Sequence, residues 1–109
     1  MDDVRTQLQR HLTRPSGRSW SHVVPAVECR DGFRMSVQAS SHHYCEPTSD
    51  VGPWTHVEVG FPSQVEPMLW QYAERLGEWT DCVYPRVPIE VVVAVIEVHG
   101  GFRLDVQTR

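Results

Sequence analysis

The chain has 109 residues, of which 40% are hydrophobic and 22% are charged, values typical of one globular domain rather than a disordered chain. No apolar run approaches the roughly 20 residues that a transmembrane helix needs. The first residues carry no apolar stretch either, so we expect no secretory signal. These features predict a cytoplasmic protein.

Charge is divided unevenly along the chain, whose formal net charge is −4. Residues 1–36 hold six arginines against four acidic residues, whereas residues 37–109 hold ten acidic residues against four arginines. An acidic body repels the nucleic-acid backbone. The charge therefore argues against direct nucleic-acid binding and suits a basic protein partner.

Three cysteines, Cys29, Cys45 and Cys82, form an odd set without a CxxC pair. This pattern is typical of reduced thiols in a cytoplasmic protein and not of a disulfide framework. We expect them to be small core residues.

An amphipathic helix is predicted over residues 2–14, because Val4, Leu8 and Leu12 recur at helical spacing. Turn-forming residues 15–19 follow. A helix of three turns is marginal alone, so it must pack on the body or on a partner, and we expect it to be dispensable for folding. The chain thus divides into a helix with linker, 1–19, and one domain, 20–109.

A β-hairpin is predicted from Val23 to Ser40, where alternating apolar residues flank Asp31-Gly32. This dipeptide is typical of a type I′ turn, in which both residues have positive φ. The polar segment 41–53 that follows is unusually long for a loop in a small domain, which indicates a mobile or functional loop. Residues 54–61 then alternate as a half-buried third strand.

A helix is predicted to begin with Pro67 in its first turn and to end at Gly77. Its inward stripe comprises Leu69, Tyr72, Ala73 and Leu76, and Trp70 falls outside that stripe. Residues 80–84 are predicted to form a short edge strand.

Residues 89–99 fit two structures. Six consecutive apolar residues, 91–96, are rich in β-branching and suit a buried strand. Pro88 before the segment and Gly100-Gly101 after it favour a helix. In residues 102–106 apolar and polar side chains alternate, which suits a terminal strand.

The predicted fold class is α+β, with a small antiparallel sheet of three to four strands packed by two helices and preceded by an N-terminal helical arm.

Four side chains are candidate zinc ligands: His42, Cys45, His56 and Cys82. His42 and Cys45 are three residues apart, close enough to bind one ion. Structural zinc sites usually have two such paired spacings, and the chain offers one. We therefore expect no metal and no cofactor.

A nucleophilic pair could be formed by Cys45 or Cys82 with His43 or His56, oriented by Asp50 or Glu58. No family signature flanks either cysteine, and no glycine-rich phosphate-binding loop is present. The sequence therefore assigns no catalytic residue and favours a non-enzymatic function.

Tryptophan is abundant, with four in the chain. Tryptophan, tyrosine and arginine dominate the residues that carry binding energy at protein interfaces. We therefore predict a binding surface beside the polar loop, made of Trp54, Trp70, Tyr44, His43 and Arg18.

Several separated motifs between residues 35 and 102 resemble a group of small uncharacterised phage and prophage proteins. They are Ser41-His-His-Tyr-Cys-Glu-Pro, Asp50-Val-Gly-Pro-Trp-Thr-His-Val-Glu-Val-Gly-Phe-Pro-Ser63, Tyr72-Ala-Glu74, Val83-Tyr-Pro-Arg-Val-Pro-Ile-Glu-Val-Val92 and His99-Gly-Gly101. The N-terminal helix and linker depart from that pattern. The group has no assigned activity, so the resemblance supplies no catalytic residues.

The resemblance implies a phage accessory protein that acts in the host cytoplasm by binding a host protein or complex. It further implies inhibition of a host defence system, in the manner of an anti-CRISPR protein. Homodimerisation stays open. Two alternatives remain at this stage, a zinc-binding structural module and a small Cys/His hydrolase.

Overall fold

The computed structural model describes residues 3–13 and 23–103. The elements, in chain order, are α1 (Val4–Leu12), β1 (Val27–Glu28), β2 (Arg34–Gln38), β3 (His56–Gly60), a 3₁₀ helix (Pro67–Tyr72), β4 (Val83–Pro88) and α2 (Ile89–Val98). The strands form one antiparallel sheet in the order β1–β2–β3–β4. This architecture confirms the predicted α+β class.

The hairpin between β1 and β2 is present, with Val27 opposite Met35. Its turn differs from the predicted type I′ turn, because only Gly32 has a positive φ, of 96°. The Asp31 carboxylate accepts a hydrogen bond from the Phe33 N–H at 2.9 Å. Asp31 therefore closes the turn through its side chain, and one left-handed residue is enough.

The strand predicted near residues 80–84 is β4, which begins at Val83 and lies at the edge of the sheet. Pro85 has no N–H to donate, which an edge position tolerates. Val57 pairs with Val87 and Val59 with Tyr84, so β4 contains one extra residue. This β-bulge includes Arg86, whose φ is 49°.

Helix α1 begins at Val4, inside the predicted span 2–14, and the Asp3 carboxylate before it accepts a hydrogen bond from the Thr6 N–H at 2.8 Å. Its Leu8 and Leu12 side chains are fully buried in the core, and the helix packs on α2. The arm therefore packs on the body of the protein.

The segment 89–99 forms a helix, as the flanking residues predicted. The buried residues of α2 recur at helical spacing: Ile89, Val92, Val95 and Ile96. Gly100 and Gly101 end the helix with φ values of 95° and 88°. Burial of this face outweighs the modest cost of β-branched side chains in a helix.

The helix predicted from Pro67 begins there but is a short 3₁₀ helix that ends at Tyr72. Leu69 is buried as predicted, and Tyr72 and Ala73 pack partly against the core. The inward placement of Leu76 is wrong, because the chain has left the helix and its side chain is 80% exposed. Of the predicted terminal strand, Phe102 forms a single β-bridge with Cys29, and residues 104–106 lie outside the described residues.

Candidate functional site

Trp54 does not belong to an exposed surface, and that prediction is wrong. Its side chain is 2% exposed, and its indole N–H donates to the Ser49 carbonyl oxygen at 3.0 Å. Its backbone is held by the Gln9 side chain, which donates to the Trp54 carbonyl oxygen and accepts from the Trp54 N–H. The polar loop and α1 thus enclose Trp54, which the strand pattern alone could not reveal.

The loop over Trp54 is organised by internal hydrogen bonds. The Ser41 N–H donates to the Asp50 carboxylate at 2.8 Å, and the Glu46 N–H donates to the His56 carbonyl oxygen at 3.0 Å. Cys45, within the loop, is fully buried. These contacts give the loop a structural role in covering the core.

Trp70, in contrast, is 41% exposed on the 3₁₀ helix. Its ring stacks on that of Trp79 with centroids 5.1 Å apart and an interplanar angle of 28°. Stacked aromatic pairs are fixed in orientation more firmly than single side chains. The pair therefore presents a rigid apolar surface to solvent.

Further apolar side chains accompany this pair in the same stretch of chain. Five of the nine exposed large hydrophobic residues in the described part of the chain fall between positions 61 and 76. We call these five, with Trp79, the aromatic surface: Phe61, Val65, Met68, Trp70, Leu76 and Trp79.

The elements around the aromatic surface meet at one end of the sheet, where β3 ends and β4 begins. The Phe61 N–H donates to the Cys82 carbonyl oxygen at 3.1 Å, and the Glu74 N–H donates to the Val83 carbonyl oxygen at 2.9 Å. The 3₁₀ helix packs on β4. The sheet thus brings Phe61 and the segment 74–82 to the same end of the molecule.

Acidic side chains border the aromatic surface. Glu74, Glu78 and Asp81 lie in the segment 74–81, and the one arginine of that segment, Arg75, pairs with Glu78 at 3.7 Å. The segment 74–81 therefore carries a net negative charge. An apolar surface with such a border is electrostatically complementary to a cationic partner.

Tyr44 and His43 lie elsewhere, on the polar loop. Tyr44 is exposed, and the Arg86 guanidinium lies 5.5 Å from its ring centroid. The Tyr44 N–H also donates to the Glu58 carboxylate at 3.0 Å. The side chain of His43 has its Nδ1 2.7 Å from the Ser40 hydroxyl. Arg18, the remaining predicted member of the surface, lies outside the described residues.

Two of the candidate zinc ligands, His42 and His56, contact neighbouring hydroxyl groups. Their Nδ1 atoms lie 2.9 Å from the Ser41 and Thr55 hydroxyls, respectively. Within residues 3–13 and 23–103, no group of three or more His, Cys, Asp or Glu residues is arranged to hold a metal ion.

The cysteines are poorly placed for nucleophilic catalysis. All three are buried. Burial raises the pKa of the Cys45 thiol, whose Sγ donates to the Ser40 carbonyl oxygen at 3.1 Å. Burial likewise raises the pKa of Cys29 to about 11. Both groups are thus held as neutral thiols, whereas nucleophilic attack requires the thiolate.

Sequence reasoning missed a charge cluster centred on the buried His99. Its Nδ1 lies 2.6 Å from an Asp31 oxygen, and its Nε2 lies 2.7 Å from a Glu66 oxygen. The ring stacks on Phe33 with centroids 4.1 Å apart. The cluster joins the hairpin turn, the start of the 3₁₀ helix and the end of α2.

Both nitrogens of His99 face carboxylates, which are hydrogen-bond acceptors, so the ring is an imidazolium that donates twice. Burial alone would lower its pKa, but the hydrogen bonds to Glu66 and Asp31 outweigh burial and raise the pKa of His99. The Phe33 N–H, followed by His99, lowers the pKa of Asp31. With both nitrogens engaged, His99 stabilises the fold and is not poised as a general base.

Neither helix α1, with nine residues, nor α2, with ten, could cross a bilayer, and the described residues contain no other helix that could. No protein-family model, curated protein or solved structure matches the chain. Function is therefore inferred from the residues themselves.

Proposed function

We propose that this chain is a small protein-binding accessory protein that holds its partner on the aromatic surface. The observation that carries the proposal is the concentration of exposed large apolar side chains between residues 61 and 76, beside the stacked pair Trp70–Trp79. Contiguous exposed apolar side chains are costly in water and mark interaction sites. Rigid tryptophans are among the side chains that contribute most at such sites.

The partner presents a basic segment to this surface. Glu74, Glu78 and Asp81 lie on either side of Trp79 in the segment 74–81, whose one arginine, Arg75, pairs with Glu78. Arginine and lysine side chains both pair with carboxylates and pack over indole rings. A segment that combines cationic and apolar side chains therefore fits the surface in both respects.

Resemblance to small phage proteins suggests the setting of this activity. In that setting the partner is a host protein, and its capture would block a host function such as a CRISPR-type defence. The burial of all three cysteines and the raised pKa of the Cys45 thiol support binding over the hydrolase alternative.

Paired variants test the surface in a capture experiment. The immobilised chain is incubated with a lysate of the native host, and captured proteins are identified by mass spectrometry. The double variant Trp70→Ala with Leu76→Ala should lose at least tenfold of the capture of a specific partner, because exposed anchors supply the binding energy. Circular dichroism should show an unchanged fold, since both side chains are exposed.

The matched control is Val51→Ala, which removes a 74% exposed apolar side chain outside the aromatic surface and should leave capture unchanged. The same assay at rising salt tests the charge of the partner. We expect capture by wild type to weaken as salt rises, because salt screens the attraction between charges. Capture by the double variant Glu74→Gln with Asp81→Asn should depend less on salt, because two of the charges are gone. Equal capture by wild type and the Trp70/Leu76 variant would refute the proposal.

A further inference from the structure

A cavity of about 350 Å³ lies on another part of the molecule, where α1, β1 and the segment after α2 meet. The described residues that line it are Gln7, Arg10, His11, Ala26, Glu28, Phe102 and Arg103. Sites for small organic molecules begin at roughly 300 Å³, so the cavity is large enough for a compact ligand.

Packing of α1 on the core fixes one wall of this cavity. Gln7 lies three residues before Arg10 and four before His11, so its side chain neighbours both on the helix surface. The adjacent face buries Leu8 and Leu12 completely. This helical wall is therefore anchored by the core.

The opposite wall is anchored by backbone contacts. Phe102 forms a β-bridge with Cys29, and the Arg103 N–H donates to the Glu28 carbonyl oxygen at 2.9 Å. The cavity thus lies between elements whose backbones are held in place, as preformed ligand sites are.

The described lining residues carry a charge opposite to that of the chain. Two guanidinium groups, Arg10 and Arg103, line it together with one carboxylate, Glu28, in a protein of net charge −4. Arg103 Nη1 donates to Glu28 Oε1 at 3.0 Å, so the carboxylate is already neutralised by an arginine. A guanidinium carries five N–H donors and can serve a ligand in addition to an ion-pair partner.

Aromatic groups form another part of the lining. The rings of His11 and Phe102 lie 5.9 Å apart at an interplanar angle of 40°. His11 Nε2 lies 2.7 Å from the Pro25 carbonyl oxygen, which can only accept, so Nε2 carries a proton. Burial lowers the pKa of His11, which keeps the ring neutral near pH 7. The two rings therefore offer flat, uncharged contact area.

We propose that this cavity binds a small aromatic carboxylate, whose anionic group pairs with Arg10 and Arg103 and whose ring packs against His11 and Phe102. This site is independent of the aromatic surface. Bidentate pairing of guanidinium with carboxylate gives it selectivity for anions, and the rings give it selectivity for flat apolar groups.

Titration of the full-length protein with 2-naphthoate, followed by ¹H–¹⁵N NMR, tests this site. We expect saturable shifts at the amides of the lining residues. Cyclohexanecarboxylate, which lacks the flat ring, and benzylammonium, which has the opposite charge, should bind at least tenfold more weakly. Equal binding of benzylammonium, or shifts confined to residues 61–79, would overturn the proposal.

Two variants and one control complete the test. Arg10→Gln removes a guanidinium and should weaken 2-naphthoate binding about tenfold, the effect of losing a charge-assisted hydrogen bond. Ala26→Leu should block binding by filling the cavity while keeping its charge. Arg5→Gln is the matched control, because Arg5 lies on the same helix but pairs with Glu90 at 3.5 Å. Wild-type affinity in Arg10→Gln would overturn the proposal.

Discussion

At the scale of single residues, Gly52 shows how closely the polar loop packs on the core. A Cβ at this position would lie 2.5 Å and 2.7 Å from two carbon atoms of the Trp54 ring. Trp54 is enclosed on several sides and cannot move away at low cost. Only glycine therefore fits at position 52. The reason is the lack of space for a Cβ and not a backbone φ that other residues avoid.

We predict that Gly52→Ala lowers the free energy of unfolding by about 2 kcal/mol, the usual cost of overpacking a filled site. Urea unfolding followed by tryptophan fluorescence measures the change. Gly60→Ala is the control, since its Cβ would lie 3.8 Å from the Ser36 Cβ, an ordinary contact. That variant should be neutral or stabilising by up to about 1 kcal/mol. Equal effects at both positions would argue against a steric role for Gly52.

At the scale of elements, α1 is part of the folded body. Its Leu8 and Leu12 side chains are fully buried, and the Gln9 side chain bonds to both backbone groups of Trp54. Without the helix, the core would have a cavity at each leucine position, and the Trp54 N–H and carbonyl oxygen would be without the Gln9 amide. The structure thus argues against the expectation that this helix is dispensable for folding.

Leucine truncations measure the contribution of this helix. Leu8→Ala should lower the free energy of unfolding by about 3 kcal/mol, as for other buried leucines. Leu76→Ala should change it by less than about 0.5 kcal/mol, because that side chain is 80% exposed. Chemical denaturation of both variants makes the comparison. A stability loss confined to Leu76→Ala would contradict this assignment of core and surface.

Local signals were sufficient to predict most of the elements. Asp31-Gly32 in the hairpin and Gly100-Gly101 after α2 each act on neighbouring residues, and the structure has an element boundary at each. The predicted exposure of Trp70 is also confirmed.

Features that depend on distant parts of the chain could not be predicted. Trp54 is buried by α1, whose Gln9 is 45 residues away in sequence. His99 binds Glu66 and Asp31 across 33 and 68 residues. In the sequence these three residues are typical of a helix end, a helix cap and a turn, respectively, and no local pattern indicates that they meet.

At the scale of the whole molecule, the His99 cluster makes stability depend on pH. The raised pKa of His99 means that the native state favours its charged form. Its contribution is fully present below about pH 6.5, the ordinary pKa of histidine, and is lost as pH rises through the folded pKa. The pKa of Asp31 is lowered, so its charged form stabilises the native state. This stabilisation is present above about pH 3.9, the ordinary pKa of aspartate, and is lost as pH falls through the folded pKa. Burial lowers the pKa of His11, so its contribution to stability rises with pH, whereas that of His99 falls.

We therefore predict that His99→Gln lowers the free energy of unfolding at pH 6 by about 3 kcal/mol, because it leaves Glu66 buried beside a neutral group. The loss should shrink as pH rises through the raised folded pKa of His99, where wild type gives up the imidazolium. Urea unfolding at several pH values measures both effects. Val51→Ala, on the polar loop, changes no titratable group and should keep the wild-type slope. An unchanged slope in His99→Gln would contradict the role of the cluster.

The Glu66 carboxylate bonds to two elements of the fold at once. One of its oxygens accepts from His99 Nε2 at 2.7 Å, and the other accepts from the Met68 N–H at 3.1 Å, at the start of the 3₁₀ helix that carries Trp70. A single carboxylate thus links the end of α2 to the orientation of that helix. Substitutions at position 99 and around position 68 would consequently be non-additive, so that sequence change on either side of this carboxylate is constrained by the other.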